Sequence, residues 1–475
     1  MKNKIYFLAA ALFLMCSFGI FTSCEDEILT PPDEYLNSDN SDATDDDELD
    51  PEEPTDPEEP TDPEEPIDPN KPFDCSGVYK EGAEKNLVMT YGGEPMTGKY
   101  VDVIYQAPVV TAVDGENPEE VQKAKATLKL RGNKFDINAL LAYMINVPAL
   151  ETPSPIPSEP EYDLDVELTF ENGCYTFEGE RTDTPVGRTV KYFGKFTQDG
   201  LSLDLNVSYA SSNDLMVGKW GPMPGTLNTG DDSSLRMYWS SSKGFTGLSF
   251  LVGLAVKFEG LPGLLLYNPI VDGMTVNTML YNSVQSIRFE GDGCAIPYCS
   301  TSGDFANPVW GEDANRNNMH YSVPMDNNRR AYLDVDAGLL FNSLAGLLPM
   351  SASVSSRASA PGLGESLTNL VEFLRPYLKN GLPFDFGDPN PDANLWIYLN
   401  PDFVLELVHK IAPVLASNEA QDLLKTTLVD LVAGMEGLPV SVPESDIIKI
   451  VEQLPGCMEA CTSANIDFLL QPIKQ

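Results

Sequence analysis

Leu201-Ser202-Leu203-Asp204-Leu205-Asn206-Val207-Ser208-Tyr209 is apolar at every odd position and polar at almost every even one. A period of two turns one set of side chains to a core and the other to water, so the stretch is a half-buried strand. Just before it, Gln198-Asp199-Gly200 is a hairpin turn, and Thr189–Phe196 carries Val190, Tyr192 and Phe196 on one face. Upstream, Leu164-Asp165-Val166-Glu167-Leu168-Thr169-Phe170 alternates again, followed by Glu171-Asn172-Gly173 and then Cys174-Tyr175-Thr176-Phe177. Four such runs joined by glycine turns make an antiparallel meander. Tyr91-Gly92-Gly93-Glu94 and Ala124–Leu130 add strands before it, and residues 73–334 therefore read as an antiparallel β-rich domain, a sandwich or a barrel.

Helical spacing interrupts this region at Asp136–Val147, through Ile137, Leu140, Leu141, Met144 and Ile145. Residues 148–160, with five prolines, are a loop. Gly247–Val276 is very apolar but broken by glycine and proline, and reads as a buried strand plus a short helix. From Val335 the period turns helical, giving Asp336–Leu348, Leu363–Lys379, Pro401–Ala416, Glu419–Glu436 and Glu444–Leu454. Asn400-Pro401 supplies a cap and a first-turn proline, while Pro413 should kink or shorten its helix. Leu395–Leu399 and Ile466–Leu470 read as strands within this part. The expected class is α+β, with residues 335–475 a mainly helical region holding a few strands.

The chain starts with a different chemistry. Lys2 and Lys4 precede an apolar run, Ile5–Ile20, and Phe21-Thr22-Ser23-Cys24 follows. The run is short of the roughly 20 residues that span a bilayer, so residues 1–24 read as a signal peptide ending at a lipidation cysteine, Cys24. Residues 25–72 hold 21 acids against one lysine, and Asp50-Pro51-Glu52-Glu53-Pro54-Thr55 recurs at 56–61 and, ending in Ile67, at 62–67. Proline removes helix donors and the acids leave nothing to bury, so this is an extended, disordered tether of roughly 3.1 Å per residue.

The formal charge is −42. Removing residues 1–72 takes away 21 acids and three lysines, leaving 51 acids against 27 bases. That balance disfavours nucleic acid, which needs clustered Lys and Arg. Six of the eight cysteines remain once Cys16 is cleaved and Cys24 acylated. In an exported chain, Cys294 with Cys299 and Cys457 with Cys461 are candidate disulfides, and Cys75 with Cys174 a long-range third. Neither His320 nor His409 is near a cysteine pair, so no metal or cofactor is implied.

Asp388-Pro389-Asn390-Pro391-Asp392-Ala393-Asn394 spaces oxygens as a calcium loop does, but lacks the sixth-position glycine and a twelfth-position glutamate. A plain turn is preferred there, and Asp313, Asn315 and Asn317 are a weaker set. Triad catalysis needs a histidine base, and both histidines read more simply as structural. A glycan-active hydrolase using paired carboxylates needs none, and is the alternative to a non-enzymatic role. Trp239 and Trp310, flanked by polar loops, are the candidate ligand-binding residues, since an exposed indole stacks on a sugar ring.

The signal sequence, Tyr91-Gly92-Gly93-Glu94-Pro95-Met96-Thr97-Gly98-Lys99 followed by Ala126-Thr127-Leu128-Lys129-Leu130, and the stretch from Trp310 to Asp336 resemble a family of Bacteroidetes outer-membrane lipoproteins with lipocalin-like β domains. Glu25-Asp26-Glu27 after the lipid cysteine resembles the surface-export signal of that group. The resemblance implies a lipid-anchored protein of the outer membrane, facing outward, with the periplasmic face as the alternative. It carries no activity. The expectation is a non-enzymatic lipoprotein, held to the membrane by its anchor, that binds a glycan, lipid or protein; a lipocalin-like barrel would enclose an apolar cavity, and a glycan binder would show tryptophans on an open face.

Overall fold

The four-strand meander forms as β8 (Glu161–Glu171), β9 (Cys174–Asp183), β10 (Arg188–Thr197) and β11 (Gly200–Tyr209), each antiparallel to the next. Asn172 and Gly173 both have positive φ, the two-residue turn whose twist suits a hairpin. The structure, a computed structural model, describes residues 71–108, 123–140, 146–210, 216–222, 234–267, 274–300, 309–312, 316–325, 329–335, 363–387, 395–434 and 442–473. Cys24, Glu25, Asp26 and Glu27, the tether, the expected helix Asp336–Leu348 and the 388–394 loop lie outside the described residues.

Four more strands close the sheet: β1 (Gly77–Lys80), β2 (Asn86–Tyr91), β4 (Lys99–Gln106) and β5 (Ala124–Gly132). The order β1-β4-β5-β8-β9-β10-β11-β2 returns to β1, with β2 parallel to both β11 and β1, and the short β3 (Glu94–Pro95) hangs on β2. The choice between sandwich and barrel is thereby resolved as a closed eight-stranded barrel. Leu201, Leu203, Leu205 and Val207 of β11 face inward with Tyr162, Leu164, Val166 and Leu168 of β8. Each such burial contributes roughly 1.5–3 kcal/mol.

Small and large residues alternate to fill the barrel. A Cβ on Gly194 would lie 2.0 Å from Phe177 Cζ, so the ring uses the space that glycine leaves. Tyr79, Tyr91, Tyr175, Phe177 and Phe196 occupy the interior with the aliphatic residues. Among the described residues the barrel is a packed core rather than the apolar chamber a lipocalin-like fold would suggest.

The proline-rich loop closes one end. Thr152–Pro157 is buried, and Ile156 joins the barrel core. Gly132 permits this: a Cβ there would meet Thr152 O and Pro153 O at 2.2 and 2.3 Å. Two short strands, β6 (Lys134–Phe135) and β7 (Leu150–Glu151), pair beside it, separated by a helical turn, α1 (Ile137–Leu140).

The second sheet has ten strands: β12 (Gly218–Pro222), β13 (Leu235–Ser241), β14 (Val284–Phe289), β15 (Ala295–Ser300), β16 (Trp310–Glu312), β17 (Met319–Ser322), β18 (Arg330–Val335), β19 (Leu382–Phe386), β20 (Leu395–Leu399) and β21 (Cys461–Pro472). Their order is β16-β15-β14-β12-β21-β20-β19-β18-β17, with β13 also paired to β21. This corrects the expected division at 334/335. The sheet takes β12–β18 from one side of that point and β19–β21 from the other, so the C-terminal region is not a separate helical unit. The long closing strand β21 sits at its centre, because its inward residues Ala464, Ile466, Phe468 and Leu470 are buried.

Helices line the inner face of this sheet. They are α2 (Phe250–Ala255), α3 (Leu261–Tyr267), α4 (Val276–Ser283), α5 (Leu363–Asn380), α6 (Pro401–Leu415), α7 (Asn418–Gly434) and α8 (Glu444–Glu459). The described residues of Gly247–Val276 form short helices, with no strand, where a buried strand plus a short helix was expected; Val252, Val256 and Leu266 turn inward while proline and glycine keep each piece short. Asn400 Oδ1 accepts from Phe403 N at 3.1 Å, the expected cap, and Pro413 falls in the last turn of α6. No helix among the described residues is long and apolar enough to cross a membrane.

Candidate functional site

Two polar clusters stand out, and they differ in exposure. The first is the seam between barrel and second sheet. Register puts His320 of β17 opposite Asp334 of β18, and both side chains are buried against the barrel. Asp334 accepts from the Ser158 backbone N–H, and the Ser158 and Ser322 hydroxyls bond each other. His320 packs edge-on to Tyr91 with ring centroids 4.8 Å apart. Arg188, 1% exposed, donates to Asp183, Glu159 and Pro157 O. Asn317 donates to Pro95 O at 2.8 Å, and Arg316 bridges Glu290, Asp292 and Gly92 O.

Burial dominates the titration of this seam. It pushes the Asp334 carboxyl up to about 7, against the pull of the Ser158 N–H and Lys99. Burial, with Lys99 and Arg316 adding to it, drives His320 down to about 3, so the ring is neutral. His320 Nε2 and Asp334 Oδ1 have no hydrogen-bond partner. A serine, a histidine and an aspartate are therefore close in the fold, yet the histidine does not take a proton from either serine. The cluster joins the barrel to the second sheet.

The second cluster lies on the face of the second sheet that the helices leave uncovered. Pairing register puts Arg330, Asp385, Tyr398, Asp467 and Arg236 side by side across β18, β19, β20, β21 and β13. In each strand the neighbours on either side, such as Leu395, Ile397, Leu235, Met237, Ile466 and Phe468, turn to the core. Arg330 grips Asp385 with two bonds, Nε to Oδ1 at 2.8 Å and Nη2 to Oδ2 at 3.0 Å. The Arg236 guanidinium lies 4.3 Å over the Trp396 ring, a cation–π contact. Trp396 and Tyr238 remain exposed by 43% and 46%.

Arg236 is 6% exposed, yet its Nε and Nη2 have no hydrogen-bond partner. A buried donor left unpaired costs about 1–3 kcal/mol. Beside it, burial pushes the Asp467 carboxyl up, while the Arg236 charge and the Trp396 indole pull it down. The exposed members of this face are thus Trp396 and Tyr238, with Arg236 and Asp467 buried behind them.

The residues singled out from sequence fall elsewhere. Trp239 is buried, stacks on Phe258 at 5.0 Å, and spends its N–H on Phe258 O, so it is part of the core and not a ligand platform. Trp310 is half-buried and stacks on Tyr298 at 6.4 Å, with Lys219 Nζ 5.2 Å from that tyrosine ring. His409 is structural, its Nε2 3.0 Å from Cys461 O.

Cys75, Cys174, Cys294, Cys299, Cys457 and Cys461 are free thiols, and for Cys294 with Cys299 the geometry itself corrects the expected pairing. Cys294 and Cys299 are five residues apart along one extended segment, roughly 16 Å, and point to opposite sides, so no bridge can join them. Cys294 packs in the barrel core and Cys299 in the second core. Cys457 lies in the last turns of α8, and Cys461 begins the strand that follows.

Among the described residues no three His, Cys, Asp or Glu side chains are grouped to hold a metal. A small apolar void behind Trp220, Ile397 and Phe468, about 20 Å³, has room for about one water and nothing polar to hold it. No protein-family model, curated protein or solved structure matches this chain.

Proposed function

We propose that the protein is a non-enzymatic carbohydrate-binding protein, and that the open face of the second sheet is its binding surface. The observation that carries this is the exposed indole of Trp396, backed on one face by the Arg236 guanidinium 4.3 Å from its ring. One face of the indole takes the guanidinium, and the other is left for the apolar face of a pyranose ring. Sugar hydroxyls exchange hydrogen bonds with Arg330 and Asp385, the more accessible charged pair of the row, whose balanced charge suits a neutral sugar. The proposal extends to location: an outer-membrane lipoprotein acylated at Cys24 and held outward by the acidic tether. This follows from the signal sequence and its resemblance to the Bacteroidetes lipoproteins.

Titration of the full chain against neutral and acidic oligosaccharides tests the reading. Binding that Trp396→Ala weakens at least about tenfold, with the fold intact, is the expected result; no binding to any sugar, or binding indifferent to Trp396, refutes it. Protease shaving of intact cells tests the outward placement, which fails if the protein is cut only after the outer membrane is broken.

A second reading is favoured by the same row. Asp385 and Asp467 sit two strands apart, roughly 9.6 Å at the backbone, near the separation of an inverting carboxylate pair. Asp467 is the acid candidate because burial raises it. Product release from a polysaccharide panel, abolished by Asp467→Asn, would establish hydrolysis in place of binding.

A further inference from the structure

Helix α2 presents its large apolar side chains to solvent. Phe250, Leu251 and Leu254 are 79%, 61% and 63% exposed, while Val252 on the opposite side is buried in the core. Soluble surfaces scatter such residues singly, and three on one short helix mark a contact site. The helix is held firmly: Ser249 N–H donates to Asp446 Oδ2 at 3.0 Å, and Gly253 and Val256 close its backbone bonds. Lys449 ties Asp446 to Gly247 O beneath the same turn. The exposure is therefore a built feature of a fixed element.

Charge around the helix identifies the occupant. Ser233–Phe258 contains no Asp or Glu, in a chain where acids make up 72 of 475 residues. It does contain Lys243 and Lys257, both exposed and flanking α2 in the sequence, with exposed Glu259 two residues after Lys257. An aliphatic and aromatic tip between two lysines matches the boundary of a lipid bilayer, with acyl chains beneath and phosphate headgroups around. We propose that Phe250, Leu251 and Leu254 insert into the interfacial layer of a phospholipid membrane, with Lys243 and Lys257 against lipid phosphates. This contact is independent of the sugar-binding face and of any acyl anchor. It sets the orientation of the folded part on the membrane rather than its attachment.

The test uses the full chain reconstituted with vesicles of phosphatidylethanolamine containing phosphatidylglycerol. Ala255, exposed on the same helix, is replaced by an environment-sensitive fluorescent amino acid. The expected result is a blue shift with vesicles and quenching by lipids that carry a nitroxide on the acyl chain. Phe250→Ser with Leu251→Ser should reduce the inserted fraction about tenfold or more, with unchanged thermal unfolding because both side chains are exposed. Lys243→Gln with Lys257→Gln should weaken insertion only when phosphatidylglycerol is present. Emission that stays aqueous and unquenched overturns the proposal. So does a shift that needs no vesicles and grows with protein concentration, which would assign the tip to a second copy of the chain.

Discussion

Replacing Asp334 by asparagine tests the joint between the barrel and the second sheet. The carboxyl is 5% exposed, accepts from Ser158 N–H, and titrates near 7 because of burial. In the unfolded chain an aspartate titrates near about 3.9. Below about pH 4 both states hold the proton and the group costs nothing. As the pH rises toward 7 the unfolded chain ionises while the folded one keeps its proton, so stability is lost across that window. At about 1.4 kcal/mol per unit the full loss is about 4 kcal/mol. The carboxamide cannot ionise and still offers Ser158 an acceptor. D334N should therefore be the more stable protein at about pH 8, by about 3 kcal/mol once about 1 kcal/mol is allowed for a changed hydrogen bond. His320 acts in the opposite sense. Its depressed value, about 3, gives stability that is present above about pH 6.5 and lost as the pH falls. The two cross-strand partners thus cancel between about pH 5 and about pH 6.5, and the native seam is nearly flat there. D334N uncovers the histidine slope, and its stability should fall with acid by about 2 kcal/mol from about pH 6.5 to about pH 5. Urea unfolding followed by circular dichroism at about pH 5, 6, 7 and 8 measures both quantities. A variant less stable than the native chain at the alkaline end, with the same pH slope, would refute the argument.

Two further substitutions probe the barrel. Arg188→Met removes the buried guanidinium and leaves Asp183 and Glu159 without it; breaking such a pair costs about 3–5 kcal/mol, to be read from the urea midpoint, and a cost under about 1 kcal/mol would mean the network is decorative. Gly194→Ala forces a methyl into the Phe177 ring and should cost about 1–3 kcal/mol, partly restored by adding Phe177→Leu; strictly additive costs in the double variant would show that the ring and the glycine do not share that space.

The barrel was largely legible because local rules agree there. Period-two runs, an Asn-Gly turn and inward leucines all specify adjacent antiparallel strands. Closure was not legible, since β2 joins β11 in parallel across roughly a hundred residues or more of intervening chain. The second sheet was harder still. Its strands are short, they are separated by helices, and β13 meets β21 only after the chain has completed every other element. A boundary drawn where helical periodicity begins therefore cut through one sheet. The expected Cys294–Cys299 pair failed for a related reason: the two thiols fall on opposite sides of one extended segment, in different cores.

The tryptophans show which signal had been available. Leu235-Arg236-Met237-Tyr238-Trp239 alternates, and Trp239 is in phase with Leu235 and Met237. Phase alone assigns it to the core, whatever the polarity of the loop that follows. Leu395-Trp396-Ile397-Tyr398-Leu399 alternates too, with the aromatic pair opposite three aliphatic residues, so Trp396 and Tyr398 face outward if the aliphatic side is buried. The phase of each strand thus separates a core indole from an exposed one. What it cannot supply is the alignment of Arg236 with Asp467, Tyr398 and Asp385, which depends on register between strands that lie far apart in the chain. An unpaired buried guanidinium is tolerable in sequence terms because its cost is invisible until that register is fixed. Once fixed, it packs the Arg236 guanidinium against the Trp396 indole, with two donors buried and unpaired.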